Sequence, residues 1–224
     1  GAKAIMFAAQ SIALGQKDII VAGGMENMSQ IPYYIPNARY GHKFGSGELV
    51  DGLQKDGLTD VYNECMMGLC ADKTAEKYNI SREAQDAFAI DSYKKSAEST
   101  EKGYFKNEIV PVEVPQRRGE PLIVSEDEEY KKVKFEKIPN LRPAFSKEGT
   151  VTAANASTIN DGASALVLAS EAAVEKYNLK PLCEVIAYTD AAHEPEWFTT
   201  APTKATEQLL KQTGKSANDI DYFE

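Results

Sequence analysis

No apolar run in these 224 residues approaches the about 20 that a membrane-spanning helix needs. No long run of Lys and Arg is present either, and the net charge is −9, which disfavours nucleic acid as a partner. Cysteine is scarce. Cys65, Cys70 and Cys183 show no metal-type spacing such as C-x-x-C, and an odd, unpatterned set reads as reduced thiols of an intracellular compartment. No internal repeat at a fixed period is visible. An initiator methionine and a targeting segment are also missing. Gly1–Met6 reads as beginning in mid-helix and Asp219–Glu224 as the start of an unfinished strand, so both ends read as cut from something longer.

What is present suffices for a real core. Hydrophobic residues make up 42% of the chain, and the length allows one large domain or two small ones. The acidic balance leaves room for an anionic ligand only where a local basic patch holds it.

Residues 2–14, rich in Ala, Ile, Met, Phe and Leu and stopped by Gly15, predict a helix that is apolar all round and therefore buried. Asp18–Ala22 predicts a buried strand ending at Gly23-Gly24. From Ser29 to about Asp60 the periodicity fails. Prolines 32 and 36, several glycines and tyrosines 33, 34 and 40 predict a long ordered loop or small hairpin suited to assembly. Residues 66–78 predict a helix. Ser81 caps a second helix running to about Lys102, where Gly103 stops it. Ala84, Ala87 and Phe88 share one face of that helix and Ile90, Tyr93 and Ala97 another, so it is expected to pack between layers.

Residues 108–114 alternate as a strand does, and 125–137 are highly charged and expected to be exposed. Small residues return at Thr150–Ser157, where a backbone can approach a ligand closely. Ser164–Ala169 predicts another buried strand, Ser170 a cap for a short helix to Tyr177, and 182–192 a long strand. Ala201–Thr213 predicts a helix stopped by Gly214. The rhythm is α/β, with an inserted region from about 32 to 160.

Two stretches carry a resemblance. Val21-Ala22-Gly23-Gly24-Met25-Glu26-Asn27-Met28-Ser29 and the run Gly149–Ala163, which includes Thr152-Ala153-Ala154-Asn155-Ala156-Ser157, are similar to thiolase signatures. Asp56-Gly57-Leu58-Thr59-Asp60 and Phe145-Ser146-Lys147-Glu148 add to them at compatible spacing. The chain thereby resembles the acetyl-CoA acetyltransferases of the thiolase family over essentially its whole length.

The resemblance implies a thiolase-like layered α/β/α fold with an inserted loop domain, present only in part. Its expected boundaries are 1–31 for part of an N-terminal half, 32–160 for the insertion with a tetramerisation loop and coenzyme A binding, 161–181 for the return to the N-terminal half, and 182–224 for the start of a C-terminal half. The implied activity joins two acetyl-CoA molecules into acetoacetyl-CoA and coenzyme A, or reverses that reaction, through an acyl-cysteine. The family's nucleophile corresponds to a place just before Gly1, and its Asn-Glu-Ala-Phe segment to one just after Glu224. The resemblance therefore leaves residues 1–224 with no catalytic residue. Cys65, Cys70, Cys183, His42 and His193 match none of the catalytic positions.

Binding does carry over. Ser157 matches a serine on the pantetheine arm of coenzyme A, Met67 an acyl-pocket residue, and Phe145 an aromatic near the cofactor. Met66, beside the pocket residue, stands where relatives often have histidine. Lys132, Val133, Lys134 and Lys137 match the stretch over the nucleotide end, where relatives commonly have Arg at the first position and Asp at the third. An ammonium attracts phosphate but lacks the planar fork of guanidinium. Tyr93, with the backbone carbonyls of Ala153, Ala154 and Ala156, matches a potassium site, and Tyr93 also lies at the coenzyme A end. The implied partners are acetyl-CoA and acetoacetyl-CoA, in a homotetramer built as a dimer of dimers, with no nucleic acid and no membrane. The implied place is a mitochondrial or cytoplasmic compartment, the mitochondrial one favoured. The competing reading is a non-catalytic acyl-CoA-binding or assembly module of the same ancestry.

Overall fold

The computed structural model describes residues 1–224. In chain order its elements begin with helix α1 (Ala2–Ala13), then strands β1 (Ile19–Asn27), β2 (Tyr33–Tyr34), β3 (Val50–Asp51), β4 (Thr59–Asp60) and β5 (Cys65–Met66). Helices α2 (Met67–Lys77) and α3 (Arg82–Glu101), strands β6 (Val112–Val114) and β7 (Leu122–Val124), and the short helix α4 (Glu129–Lys132) follow. Strand β8 (Asp161–Ala169) and helices α5 (Glu171–Tyr177) and α6 (Ala201–Thr213) complete the set. They form two compact units, residues 1–67 with 159–224, and residues 68–158. The loop region 32–67 thus groups with the terminal segments, whereas the sequence reading put it in the insertion.

The first unit is organised by one antiparallel pair. β1 and β8 run in register from Ile19 opposite Ala169 to Asn27 opposite Asp161, and α1 packs against both. The glycines of β1 are steric requirements. A Cβ on Gly23 would lie 2.3 Å from the Ser164 carbonyl oxygen, and one on Gly24 would lie 2.7 Å from the backbone nitrogen of Gly1. β1 therefore runs through Gly23-Gly24 rather than ending there. Neither strand is buried as the apolar runs suggested. Val21 is 69% exposed and Val167 67%, because a two-stranded sheet has no further strand beside it. For the same reason only Ala8 of α1 is buried.

The region 29–60 holds short hairpin pairs. β2 meets β3, and Tyr34 donates its hydroxyl hydrogen to Asp56. β4 meets β5. The segment 182–192 forms no ladder and is not a strand, with Leu182 99% exposed. Near the end, Ser216 and Asp219 make a reciprocal capping box around a 3₁₀ turn, where a strand had been expected.

The second unit is built on α2 and α3. The Ser81 hydroxyl accepts from Ala84 N–H at 3.2 Å, capping α3, and Gly103 ends it at φ +71°. The covered face of α3 is a single stripe of Arg82, Asp86, Ala89, Ile90, Tyr93 and Ala97. The expected second packed face is open, and Phe88 is 79% exposed. The strand expected over 108–114 is shorter, with only Val112–Val114 pairing with β7. The charged stretch 125–137 is largely exposed, as its composition indicates, and it folds into α4 and a 3₁₀ turn over Phe135–Asn140.

Candidate functional site

The small-residue loop 144–157 is held by carboxylates from two helices. On α2, Asp72 Oδ1 accepts from Thr150 N–H at 2.8 Å and Val151 N–H at 2.9 Å. Gly149 lies so close that a Cβ there would meet Asp72 Oδ2 at 2.3 Å. On α3, Asp86 is 5% exposed and accepts from Arg82 Nε at 2.7 Å and Asn155 Nδ2 at 3.0 Å. Arg82 Nη2 also donates to the Ile138 carbonyl at 2.9 Å. Asn155 closes the loop on itself. Its Oδ1 accepts from Thr152 N–H at 2.7 Å and its Nδ2 donates to the Thr150 carbonyl at 3.1 Å. Gln85 Nε2 donates to Thr150 Oγ1 at 2.9 Å, and Thr152 is fully buried. A buried carboxylate is stable only with such partners.

This bracing leaves one end of the loop open. Ala153 and Ser157 are exposed, and Ala154 and Ala156 half-buried. Tyr93 lies seven residues after Asp86 on α3, hence two turns along the same stripe. Burial, and secondarily the Glu129 carboxylate, push its phenol pKa up. Phe145 packs on the first turn of α2, where a Cβ on Gly68 would lie 2.2 Å from two ring carbons. Met67, half-buried, starts α2 with its N–H on the Leu58 carbonyl at 2.9 Å. Val133 is half-buried, and Lys132, Lys134 and Lys137 are exposed. The second unit thus collects Tyr93, Phe145, Lys132, Val133, Lys134, Lys137, Ser157 and the three alanines, while Met67 is the last residue of the first unit.

Sequence reasoning missed the residues that hold the loop, namely Asp72, Arg82, Gln85, Asp86 and Asn155. The Arg82–Asp86 pair at i,i+4 was visible as a helical ion pair. Nothing in sequence tied it to residue 155. In the first unit the ends of β1 and β8 are joined by Ser29, whose N–H donates to Asp161 Oδ1 at 2.9 Å and whose hydroxyl donates to Oδ2 at 2.5 Å.

The second unit thus presents a braced, small-residue loop with Phe145 at its start and exposed lysines at 134 and 137. Residues 1–172 match the thiolase N-terminal domain, and the chain belongs to the thiolase family. It is 51% identical over 224 residues, all of this chain and 54% of the relative, to the probable acetyl-CoA acetyltransferase of Dictyostelium discoideum. It is 49% identical to the mitochondrial acetyl-CoA acetyltransferase of Macaca fascicularis, covering all of this chain and 52% of that protein. A relative named as cytosolic, from Gibberella zeae, is 49% identical over 99% of this chain and 56% of its own length. The thiolase Acat5 of Ascaris suum, solved in complex with coenzyme A, superposes with a TM-score of 0.90 at 48% identity, over 97% of this chain and 55% of that one. The fold is accordingly a partial thiolase α/β fold. The chain spans about half the length of the curated relatives it matches. No helix is long and apolar enough to cross a membrane.

Proposed function

We propose that the protein is an acetyl-CoA C-acetyltransferase, condensing two acetyl-CoA molecules to acetoacetyl-CoA and coenzyme A and running the reverse thiolysis through an acyl-cysteine. The observation that carries this reading is the match along the whole chain, at about half identity, to relatives of that name, one likeness being to a structure holding coenzyme A. In this assignment residues 1–224 bind and orient. The exposed Ser157 hydroxyl meets an amide of the pantetheine arm, Met67 lines the acyl slot, Phe145 flanks the cofactor, and the 132–137 stretch faces the nucleotide. The N-terminal end of α1, packed on Gly24, presents the positive end of a helix dipole, the setting that favours a thiolate. The nucleophile and the proton-moving residues lie outside residues 1–224.

Potassium fits the donor set of the Tyr93 phenol oxygen and the carbonyls of Ala153, Ala154 and Ala156, all oxygens suited to a hard cation. The Asn155–Asp86 bond supports this, because it fixes the loop to the helix that carries Tyr93. When bound, the ion would brace the loop that ends in Ser157. The assembly belonging to this reading is a homotetramer, and the compartment is mitochondrial or cytosolic.

The test is an assay of the complete polypeptide for thiolysis of acetoacetyl-CoA, beside residues 1–224 alone. Turnover by the complete protein and none by residues 1–224 is expected. An inactive complete protein that still binds coenzyme A would favour the non-catalytic module. Coenzyme A affinity should be stronger in potassium than in sodium at equal ionic strength, and Tyr93→Phe should reduce that difference. Equal affinities in both salts would remove the ion.

A further inference from the structure

Helix α1 carries one charged side chain, and its dipole disfavours a cation there. Lys3 lies in the first turn, at the positive end of the helix. The fold offsets it with a carboxylate from far along the chain. Lys3 Nζ donates to Asp190, 187 residues away, and lies 5.2 Å from the centre of the Phe7 ring one turn on. Asp190 comes from the segment 182–192, which pairs with no strand. Its neighbour Thr189 donates to Gln208 Oε1 of α6 at 3.1 Å, so the segment is tied to both helices. Lys3 and Asp190 are exposed, and an exposed pair contributes little to stability. Its consequence is electrostatic. The pair sets how much positive charge stands at the N-terminal end of α1, the end packed on Gly24.

We propose that the Lys3–Asp190 pair tunes the nucleophilic thiol at that end of α1, with Lys3 favouring the thiolate and Asp190 opposing it. The proposal rests on the acyl-cysteine reading. Both are positioning residues, acting on the substrate only through the thiol. The helix dipole already favours the thiolate, and an uncompensated ammonium would add to it. A thiolate made too stable is a poorer nucleophile, so a matched carboxylate keeps the thiol reactive. Glu26, two residues beyond Gly24 on β1, Asp161 on β8, and His193 and Glu194 just past Asp190 are further ionisable groups of the elements that meet there. They are common to every variant below.

The experiment follows inactivation of the complete protein by iodoacetamide against pH at low ionic strength, with the alkylated cysteine located by mass spectrometry. Wild type is compared with K3Q, D190N and the double variant K3Q/D190N. At about 10 Å, roughly two helical turns, one unit charge moves a titration by about 0.3 pH unit even at the permittivity of water. The midpoint should rise by about that much or more in K3Q, which leaves the carboxylate alone, and fall by as much in D190N, which leaves the ammonium alone. The double variant should return to the wild-type midpoint, and both single shifts should shrink in high salt. Loss of a merely structural clasp would move the two single variants in one direction. Single variants that move the same way or not at all, or a double variant displaced as far as a single one, overturn the role of the pair while the acyl-cysteine reading stands. A wild type whose inactivation follows no cysteine preceding Gly1 overturns that reading and the role of the pair with it.

Discussion

At the scale of single residues, the second unit depends on contacts that leave no room for substitution. Gly68 is the clearest. A methyl group there would overlap Phe145 down to the root of the ring, with Cγ at 2.4 Å, so the side chain cannot escape by swinging its tip. Gly68→Ala should destabilise the protein by about 1–3 kcal/mol, the usual cost of overpacking. Truncating the ring in the double variant with Phe145→Leu should recover part of it. Urea denaturation of the complete protein decides this. A neutral single variant, or a double variant no better than the single, would show that Phe145 does not press on the helix. Asp72 and Asp86 act in a complementary way. Asp72 accepts from two loop backbone N–H groups and Asp86 from the Asn155 side chain, so either carboxylate, once removed, leaves N–H donors stranded.

At the scale of elements, the β1–β8 pair is closed at one end by a side chain. Asp161 opens β8, faces Asn27 across the ladder, and holds Ser29 through both carboxylate oxygens. The Ser29 hydroxyl bond, and then the Ser29 N–H bond, keep its carboxyl below the ordinary range. A depressed carboxylate contributes stability that is fully present above its unfolded value, about 3.9, and is lost as pH falls through the lower folded value. Asp161→Asn should therefore unfold at lower urea than wild type near neutral pH, and the gap should close as the pH drops below about 4. Midpoints measured at several pH values check this. A gap independent of pH would mean that the charge contributes nothing and that only the shape of the side chain matters.

At the scale of the whole molecule, accessible surface is the informative quantity. The chain exposes 17769 Å². A compact monomer of this length exposes about 10,000 Å², and two separate domains of half the mass about 12,000 Å². Many large apolar side chains contribute to it. Val21, Met25, Leu166 and Val167 are open on the β1–β8 pair, and Phe88 is open on α3. Contiguous apolar surface of that kind marks a candidate interaction face. The loop 30–52 is suited to such a role. Tyr33 is 58% exposed, Tyr40 85% and Phe44 fully exposed, on a segment anchored by the β2–β3 hairpin and the Tyr34–Asp56 bond. Under the proposed homotetrameric assembly, deleting residues 30–52 from the complete protein should leave a dimer, as read by sizing with light scattering. A tetramer that survives the deletion would place the assembly surface elsewhere.

The amino-acid sequence by itself determined the longer helices and their ends, though not the short α4 inside the charged stretch 125–137. Ser81 and Ser170 cap where expected, and Gly15, Gly103 and Gly214 stop helices with positive φ, because capping and left-handed turns are local chemistry. It also determined the family, because the strings 21–29 and 149–163 are long and specific. Tertiary structure alone decided which apolar runs are covered. β1 and β8 read as buried yet lie open, and 182–192 reads as a strand yet pairs with nothing, since burial and pairing are properties of neighbours that periodicity does not name. Tertiary structure alone also joined Asp72 to residues 150 and 151 and Asp86 to residue 155. A carboxylate's partners are set by which backbone folds back onto it across some seventy residues of chain, and no local pattern encodes that return.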